Sequence, residues 1–398
     1  MPGNELIGKE EMKEVMDVLE TGILMRYEFD DQRQGVYKVQ EFERAFAEYL
    51  GAQYTLGVTS GSAALKVALT ALDVGPGDEV IVPAFDFIAT YEAVLEVGAV
   101  PVMTDIDDSL NLDPRAIGDR ITPYTKAVIP VHMCGAPAKI DEIVAVAKTN
   151  GIAVLEDNAQ ACGGSYGENK LGTFGDMAIL SFDFYKTITT GEGGMIITND
   201  KRLYDRSDWY HDHGHDHNPN VGRGLEGRTI LGFNYRMTEL QGAVGLAQLR
   251  KLDYIVEQQR KNKAAIKNVL GEIDGVGFRT LFDPAGDTAT FLGFNFPDAA
   301  AAKVFQGALK EEGCDTIYYK ENAWHYAPNW EHLIAWSTAN SKKFPFCSHE
   351  GAIDYGVECI PQAEDILGRT LFMIIPVRME EARLEEITNG IRKAAKAL

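Results

Sequence analysis

One lysine lies in a segment whose surroundings could make it reactive. Lys186 follows the apolar run MAILSF at 177–182 and precedes the glycine-rich turn of SFDFYKTITTGEGGM. Burial lowers the pKa of a lysine, and a neutral amine can form a Schiff base with a carbonyl group and later carry protons. A single lysine in a turn is more often exposed, however, so base rates alone make Lys186 an ordinary surface residue.

A carboxylate that could act with such a lysine ends another apolar run. Asp157 closes the strand-like GIAVLED at 151–157, and ligands of open α/β sheets bind at the carboxyl ends of strands. A carboxylate beside the pyridine nitrogen of pyridoxal 5′-phosphate (PLP) would keep that nitrogen protonated and strengthen the ring as an electron sink. An aspartate that caps a helix in a loop explains this motif in isolation about as well.

The segment TSGSAALKVAL at 59–69 could hold a phosphate group. Gly61 and Ser62 stand just before a helical run, where free backbone N–H groups and the helix dipole favour an anion. Ser181, at the start of the lysine segment, could add its hydroxyl to the same phosphate. A Ser-Gly-Ser start is more often an ordinary helix cap. The segment therefore supports a phosphate site only when it is considered together with the lysine and the aspartate.

The elements that would position these residues follow from the hydrophobic pattern. From Gly51 onward, apolar runs alternate with helical segments, as they do in βαβ units, except that the last two runs are too close for a helical crossover. We therefore expect an α/β fold with a mostly parallel sheet, one strand of it antiparallel, flanked by helices on both faces. The strand-like runs lie at 79–83, 99–106, 126–132, 151–157, 177–182 and 194–200.

Helical spacing marks both ends of the chain. Two amphipathic helices are predicted in the first fifty residues, one from Met12, Val15, Met16 and Leu19 and one from Phe42, Phe46 and Tyr49, with an irregular stretch from Thr21 to Lys38 between them. Later elements are a helix over 238–270, the strand-like FLGFNFP, a helix near 299–312 and a final amphipathic stretch.

The length of 398 residues predicts a large domain and a smaller one. We expect an N-terminal helix and irregular arm over 1–40, a large PLP-binding α/β domain over 41–255, and a small α+β C-terminal domain over 256–398.

Charge and cysteine content exclude several classes of protein. With 38 basic and 59 acidic residues, the net charge of −21 would repel nucleic acid and anionic membranes. The five cysteines form no CxxC pair, which argues against a disulfide framework or a zinc ribbon. The N-terminus MPGNELIGKEEMKE lacks the pattern of a signal peptide, and no apolar run reaches membrane-spanning length. We therefore expect a cytoplasmic protein with no nucleic-acid or membrane partner.

Six motifs in this order resemble those of the DegT/DnrJ/EryC1/StrS family of sugar aminotransferases, over nearly the whole chain. They are SGSAAL at 60–65, PAFDFIAT at 83–90, HMCG at 132–135, EDNAQA at 156–161, SFDFYK at 181–186 and GFNYRMTELQGAVGLAQL from 232. The resemblance implies the fold type I architecture of PLP-dependent transferases, with a mostly parallel seven-stranded sheet and with PLP as the cofactor.

The resemblance also implies a role for each site residue. Lys186 would hold PLP as a Schiff base and Asp157 would pair with the ring nitrogen, so these two are the expected catalytic residues. The remaining cofactor contacts would be the amides of Ser62 and Ala63 and the hydroxyl of Ser181 on the phosphate, Phe87 stacked on the ring, and Gln160 near the ring hydroxyl. Asn234 would reach the phosphate from a neighbouring subunit, which implies a homodimer with shared active sites.

Transamination is the expected reaction. Dehydratases of the family carry histidine in place of the Schiff-base lysine, so Lys186 indicates an aminotransferase with L-glutamate as donor, 2-oxoglutarate as by-product and an oxo-sugar as acceptor. At a finer level, the chain is similar to enzymes that convert the C8 aldehyde of 3,8-dideoxy-8-oxo-manno-octulosonate to 8-amino-3,8-dideoxy-manno-octulosonate for lipopolysaccharide biosynthesis. A nucleotide-linked keto-hexose is the alternative acceptor.

The histidine-rich segment HDHGHDH at 211–217 has no fixed interpretation. Imidazoles suit zinc or copper, but alternate histidines in a loop rich in Asp and Gly lack rigid ligand geometry, so we expect no metal. The histidines, with Arg223 or Arg228, could meet an anionic substrate at the entrance of the site. A solvated surface loop explains the segment about as well.

Overall fold

The computed structural model describes residues 2–351 and 353–398. Its helices are α1 (Pro2–Glu5), α2 (Lys9–Thr21), α3 (Lys38–Leu50), α4 (Gly61–Ala71), α5 (Ala89–Glu96), α6 (Pro114–Ile117), α7 (Ile140–Asn150), α8 (Lys201–His211), α9 (Glu239–Leu249), α10 (Leu252–Leu270), α11 (Ala299–Glu311), α12 (Glu331–Ile334), α13 (Pro361–Gly368) and α14 (Glu381–Ala394). Its strands are β1 (Tyr54–Val58), β2 (Glu79–Pro83), β3 (Val100–Thr104), β4 (Thr125–Val128), β5 (Ala153–Asp157), β6 (Ser165–Tyr166), β7 (Asn169–Lys170), β8 (Met177–Ser181), β9 (Gly194–Thr198), β10 (Gly277–Phe278), β11 (Phe291–Asn295) and β12 (Thr370–Ile374).

The main sheet of the described chain has seven strands in the order β1-β9-β8-β5-β4-β2-β3. Strand β9 pairs antiparallel with β1 and with β8, whereas the other neighbours pair parallel. The predicted fold class is thereby confirmed, including the reversed strand after the lysine segment. The strand that the sequence analysis did not single out is β1, the short run YTLGV.

The sheet is buried on both faces because its central strands are continuously apolar. Strands β2, β8 and β9 are buried at every position, as expected for strands covered by helices on each side. In β8, Ile179 packs into the cluster that contains α4, and its neighbour Leu180 packs into the cluster that contains Phe42 and Phe46 of α3. Successive side chains of a strand point to opposite faces, so one strand joins two helical layers to the sheet.

A second, antiparallel sheet lies in the C-terminal part of the chain, with the order β10-β11-β12. Its core contains Phe294 and Phe296 from β11 and the turn after it, and Phe305 from α11. Helix α10 reaches both cores, because Ile255 packs with the large-sheet cluster and Ile266 with the C-terminal one. The predicted domain boundary at 255/256 therefore falls inside α10 and remains a prediction.

Helix α2 forms as expected, but the prediction of its buried face is wrong. Met12, Met16 and Leu19 are 64%, 50% and 49% exposed, whereas Glu11 and Glu14 are buried. The reason is ion pairing: Glu11 accepts from Lys251 Nζ at 2.7 Å, and Glu14 accepts from Lys38 Nζ and from Arg250. Buried carboxylates with such partners are tolerated, so Met12, Met16 and Leu19 face outwards while Val18 stays buried.

The predicted helix over 238–270 is two helices. Helix α9 ends at Leu249 and α10 begins at Leu252, with Lys251 at φ −101° and ψ −6° between them. Lys251 Nζ also donates to the Leu6 carbonyl at 2.8 Å, which ties the break to the N-terminal segment. No helix in the described part of the chain is long and apolar enough to cross a membrane.

Candidate active site

A cavity of about 550 Å³ lies where β2, β5 and β8 end and α4 begins. It collects six of the eight predicted site residues: Ser62, Phe87, Asp157, Gln160, Ser181 and Lys186. The carboxyl ends of neighbouring parallel strands meet at one edge of a sheet, so residues far apart in sequence converge there. Ala63 and Asn234 do not line this cavity within the single chain.

Lys186 lies on the short connection between β8 and β9. Its backbone N–H donates to the Asp183 carbonyl at 3.0 Å, and its Nζ lies 5.8 Å from the centroid of the Phe87 ring. Burial lowers the pKa of the Lys186 amine, although the nearby carboxyls of Asp157, Asp183 and Asp86 oppose this effect. A larger fraction of the amine is therefore neutral than in an exposed lysine, which makes it a nucleophile.

Asp157 faces the cavity at the end of β5. Its Oδ1 accepts from the Ala159 N–H at 2.9 Å and its Oδ2 from the Thr90 hydroxyl at 3.3 Å. Burial raises the pKa of Asp157, whereas the Ala159 amide and the positive charge of Lys186 lower it. The carboxylate is thus held in a dry position where a cationic partner would stabilise its charge.

The start of α4 and the end of β8 approach closely enough to form a phosphate cradle. A Cβ on Gly61 would lie 2.7 Å from Ser181 Cβ, so only glycine fits at this position. By position, the amides of Gly61 and Ser62 in the first turn have no acceptor within the helix. The Ala63 N–H instead donates to the Ser60 Oγ at 3.1 Å, which leaves Ser62 and Ser181 as the predicted phosphate contacts that face the cavity.

Phe87 and Gln160 are held by neighbours that the sequence motifs did not indicate. Phe87 stacks against Trp324, with ring centroids 5.9 Å apart and planes 9° from parallel. Gln160 Oε1 accepts from the Cys134 N–H at 3.0 Å, which fixes the direction of its amide group. Both side chains are therefore oriented before any ligand binds.

The C-terminal wall of the cavity was missed by the sequence analysis. Asn322, Trp324 and His325 line the cavity from this side, and burial lowers the pKa of His325 to about 3. Backbone hydrogen bonds from Asp86 and Ile88 to this segment attach the wall to the loop after β2. The density of aromatic residues in YYKENAWHYAPNW, 318–330, was the available signal.

Asn234 is exposed and does not line this cavity, and it lies next to the histidine-rich segment. It forms a bridge with Asp212, whose carboxylate accepts from His217, Arg223 and Arg236. Asn234 therefore does not contact the cavity of its own chain, and its predicted role across a dimer interface remains a prediction.

The histidine-rich segment is ordered by ion pairs. His217 donates from Nδ1 to Asp208 at 2.7 Å and from Nε2 to Asp212 at 2.9 Å, and His215 Nδ1 lies 2.6 Å from Glu226. Within the described residues, no group of three or more His, Cys, Asp or Glu side chains is arranged to hold a metal ion. His215 and His217 thus have carboxylate partners.

The residues of the cavity fit PLP. Gly61 leaves space for an anion at the helix start, Lys186 offers an amine of lowered pKa, and Asp157 offers a buried carboxylate. Phe87 presents an aromatic face between them. This set can bind a phosphate, cover a ring and place an amine beside it.

Comparisons with known proteins agree with this geometry. The model of the DegT/DnrJ/EryC1/StrS aminotransferase family matches residues 5–345. The GDP-perosamine synthase of Caulobacter vibrioides is 44% identical over 216 residues, which cover 54% of this chain and 57% of the relative. That of Escherichia coli O157:H7 is 41% identical over 229 residues, which cover 56% of this chain and 60% of the relative. The chain thus aligns with less than two thirds of the length of either relative.

The fold is also similar to solved structures. That of 3-amino-5-hydroxybenzoic acid synthase has a TM-score of 0.83 and 28% sequence identity, and the match covers 98% of this chain and 97% of that one. Nearly the whole chain therefore shares this architecture, and the expected fold type I class is confirmed.

Proposed function

This chain belongs to the DegT/DnrJ/EryC1/StrS aminotransferase family, and we propose from that premise that it is a PLP-dependent enzyme that transfers the amino group of L-glutamate to the carbonyl carbon of a sugar. PLP dependence and aminotransferase activity are properties of the family. The observation that carries the proposal is the cavity itself, in which Lys186, Asp157 and Phe87 converge from three connections of the sheet.

Each side chain has a definite task in this reaction. When bound, PLP supplies a carbonyl carbon and a ring that stores the electrons of a broken C–H bond. Nζ of Lys186 would take up and return a proton, which its lowered pKa favours. Asp157 would hold its negative charge for the ring nitrogen, and Ser62 and Ser181 would hold the phosphate.

Trapping the cofactor tests the assignment of the lysine. Borohydride reduction of the protein with PLP, followed by peptide mapping, should place the adduct on Lys186. A label on any other lysine would refute the assignment. Lys186→Arg keeps the positive charge but cannot form the reduced adduct. Lys170→Arg is the control and should be labelled like the wild type, because Lys170 donates to Tyr49 and does not line the cavity.

For the acceptor, we propose the C8 aldehyde of 3,8-dideoxy-8-oxo-manno-octulosonate, which would become 8-amino-3,8-dideoxy-manno-octulosonate for lipopolysaccharide biosynthesis. The sequence resemblance supports this choice. Arg228 does not line the cavity of its own chain, so we propose that it reaches the acceptor from the partner subunit of the dimer described below. Its guanidinium donates to the carbonyls of Glu226 and Gly227, and no carboxylate in the described part of the chain pairs with it. Arg223, by contrast, is paired with Asp212. A free guanidinium suits a sugar carboxylate, which can accept two parallel hydrogen bonds.

A nucleotide-linked keto-hexose is the second candidate acceptor. The similarity to two GDP-perosamine synthases supports it, and Arg228 would suit a diphosphate as well as a carboxylate. Incubation with L-glutamate and each acceptor in turn, with 2-oxoglutarate as the measured product, separates the two. No 2-oxoglutarate with the octulosonate aldehyde would end the first choice, and none with either acceptor would contradict a sugar aminotransferase.

The functional unit that we propose is a homodimer with shared active sites. Leu225, Leu231 and Phe233 are 82%, 94% and 56% exposed in the segment that carries Asn234. Exposed apolar side chains so close together are typical of an interface, and a two-fold axis would bring Asn234 of each chain to the cavity of the other. The molar mass in solution, measured by light scattering, should be twice that of the chain.

A further inference from the structure

One carboxyl of the cavity has no role in the reaction described above. Asp86 lies on the loop after β2, next to Phe87, is 1% exposed and lines the cavity. Its Oδ1 accepts from the Phe87 N–H at 2.6 Å. Its Oδ2 is shielded from solvent and accepts no hydrogen bond within the described part of the chain. A buried ionised oxygen without a donor costs more free energy than a neutral hydroxyl at the same place, which can itself donate.

The surroundings of Asp86 offer little positive charge. The ionisable groups that face it are Asp157 from β5, Lys186 from the β8–β9 connection and Tyr91 from α5, and the His325 backbone accepts its N–H. Burial raises the pKa of Asp86 well above its ordinary value, and the charge of Asp157 raises it further. Burial also lowers the pKa of Lys186, so this amine is a weak counter-ion for two carboxylates.

Asp157 is the better placed of the two carboxyls to remain ionised. It accepts a backbone N–H at 2.9 Å and the Thr90 hydroxyl at 3.3 Å. Burial raises the pKa of Asp86, and the nearby Thr90 hydroxyl only partly opposes this effect. A hydroxyl can donate to one group and accept from another. Two adjacent buried carboxyls hold one proton more easily than none or two, and the number of donors to each decides which of them carries it.

We propose that Asp86 is a neutral carboxylic acid that donates through the Thr90 hydroxyl towards Asp157, and so acts as a positioning residue that keeps Asp157 charged opposite the ring nitrogen. This inference rests on the proposed PLP site, although the protonation of Asp86 is a property of the chain itself. Asp86 neither forms a bond to substrate nor transfers a proton to it in this arrangement.

The protonated acid can be observed without cofactor. Infrared difference spectra of the PLP-free protein, wild type minus Asp86→Asn, should show the carbonyl stretching band of a protonated carboxyl near neutral pH. A flat difference spectrum would overturn the proposal. If Asp86→Asn does not fold, Thr90→Val takes its place: it removes the acceptor of the acid proton, so the band should shift, and an unchanged band would contradict the proposal.

The absorbance of the bound cofactor gives a second readout, as a pH titration of its spectrum. Asp86→Asn replaces a neutral acid by a neutral amide, so the titration midpoint should stay within about 0.5 pH unit of the wild type. If Asp86 were ionised, removing its charge would lower the midpoint by about 1 unit or more, and that result would overturn the proposal. Asp183→Asn is the matched control, because Asp183 is a partly exposed cavity carboxyl whose loss should lower the midpoint.

The two proposals fail in different ways. If the wild type binds no PLP, the proposed function fails, and the infrared spectrum of the PLP-free protein still reports on Asp86. If the wild type binds PLP and releases 2-oxoglutarate but the spectrum shows no protonated acid, only the inference about Asp86 fails.

Discussion

Glu156 and Asp157 are consecutive residues of β5 whose carboxyl groups serve different parts of the molecule. Glu156 is fully buried and accepts from the amides of Gly172, Phe174 and Gly175. Its Oε2 also accepts from His132 Nε2 at 3.1 Å. Asp157 points the other way, into the cavity. A strand that alternates its side chains between two faces thus places one carboxylate in the interior of the fold and the next one in the cavity.

Exchanging each acid for its amide should separate these roles. Asp157→Asn should lower kcat by at least about 10²-fold, because the charge opposite the ring nitrogen is lost, with little change in the urea midpoint. Glu156→Gln should instead lower the free energy of unfolding by roughly 2–4 kcal/mol, because a side-chain amide cannot accept all four hydrogen bonds. Steady-state kinetics and urea titration of both variants provide the measurement. The assignment is wrong if the two profiles are alike.

Gly61→Ala should weaken cofactor binding. The added Cβ would meet Ser181 at 2.7 Å, and relieving such overpacking costs about 1–3 kcal/mol. The dissociation constant of PLP, measured by fluorescence titration, should rise by about 5- to 150-fold. Gly307→Ala in α11 is the matched control, since nothing lies within 4 Å of its Cβ. If Gly61→Ala binds PLP with unchanged affinity, the start of α4 is not part of the phosphate site.

The stability that the protonated His217 contributes should be lost at alkaline pH. Both ring nitrogens face carboxylates, and hydrogen bonds to Asp208 and Asp212 raise the pKa of His217 to about 9 although burial opposes this shift. A raised folded-state pKa adds stability that is fully present below about pH 6.5 and is lost as the pH rises through about 9. The Tm should fall by on the order of 2 °C over this window, and the decrease should be smaller in His217→Asn. Equal decreases in both proteins would contradict the ion pairs.

Mixed dimers should recover activity if Asn234 acts across the interface. Lys186→Arg and Asn234→Asp homodimers are each expected to be inactive. A hybrid would place both defects in one site and leave the other intact, so random exchange of the two variants should give about a quarter of the wild-type activity. Activity is measured after refolding the mixture. No recovery in mixtures shown to contain hybrids would mean that Asn234 serves its own chain or no site.

Arg228→Gln should change the KM of the amino acceptor and not the KM of the amino donor. Its guanidinium is proposed to bind the anionic part of the sugar, so its loss should raise the KM of the acceptor by about 10-fold. The KM of L-glutamate should stay constant. Arg223→Gln, which breaks the pair with Asp212, is the comparison and should reduce stability instead. If Arg228→Gln leaves the KM of both acceptors unchanged, the anion site lies elsewhere.

The sheet and the cofactor side of the cavity could be predicted because they depend on local pattern. Apolar runs that end in a polar residue mark the carboxyl ends of strands, and Asp157 and Lys186 both follow such runs. The reversed strand β9 followed from a connection too short for a helix. Strand β1 was harder to identify, since YTLGV is short and contains a glycine.

Features that depend on distant partners could not be predicted. The buried face of α2 is set by Lys251, which follows Glu11 at a separation of 240 residues, and no periodicity reports such a pair. Trp324 and His325 reach Phe87 only through the C-terminal part of the fold. Asp86 stands in a motif that was recognised, yet its orphaned oxygen becomes visible only when the neighbouring carboxyl is in place.

The residues of the cavity are also synthesised in a fixed order along the chain. Ser62, Phe87, Asp157, Gln160, Ser181 and Lys186 all precede residue 187, and the wall with Asn322, Trp324 and His325 is made last. Ser181 pairs with Gly194 across a local hairpin, whose closure costs little entropy. During synthesis, the residues that line the cavity from the strand ends are therefore made before the wall with Asn322, Trp324 and His325 is translated.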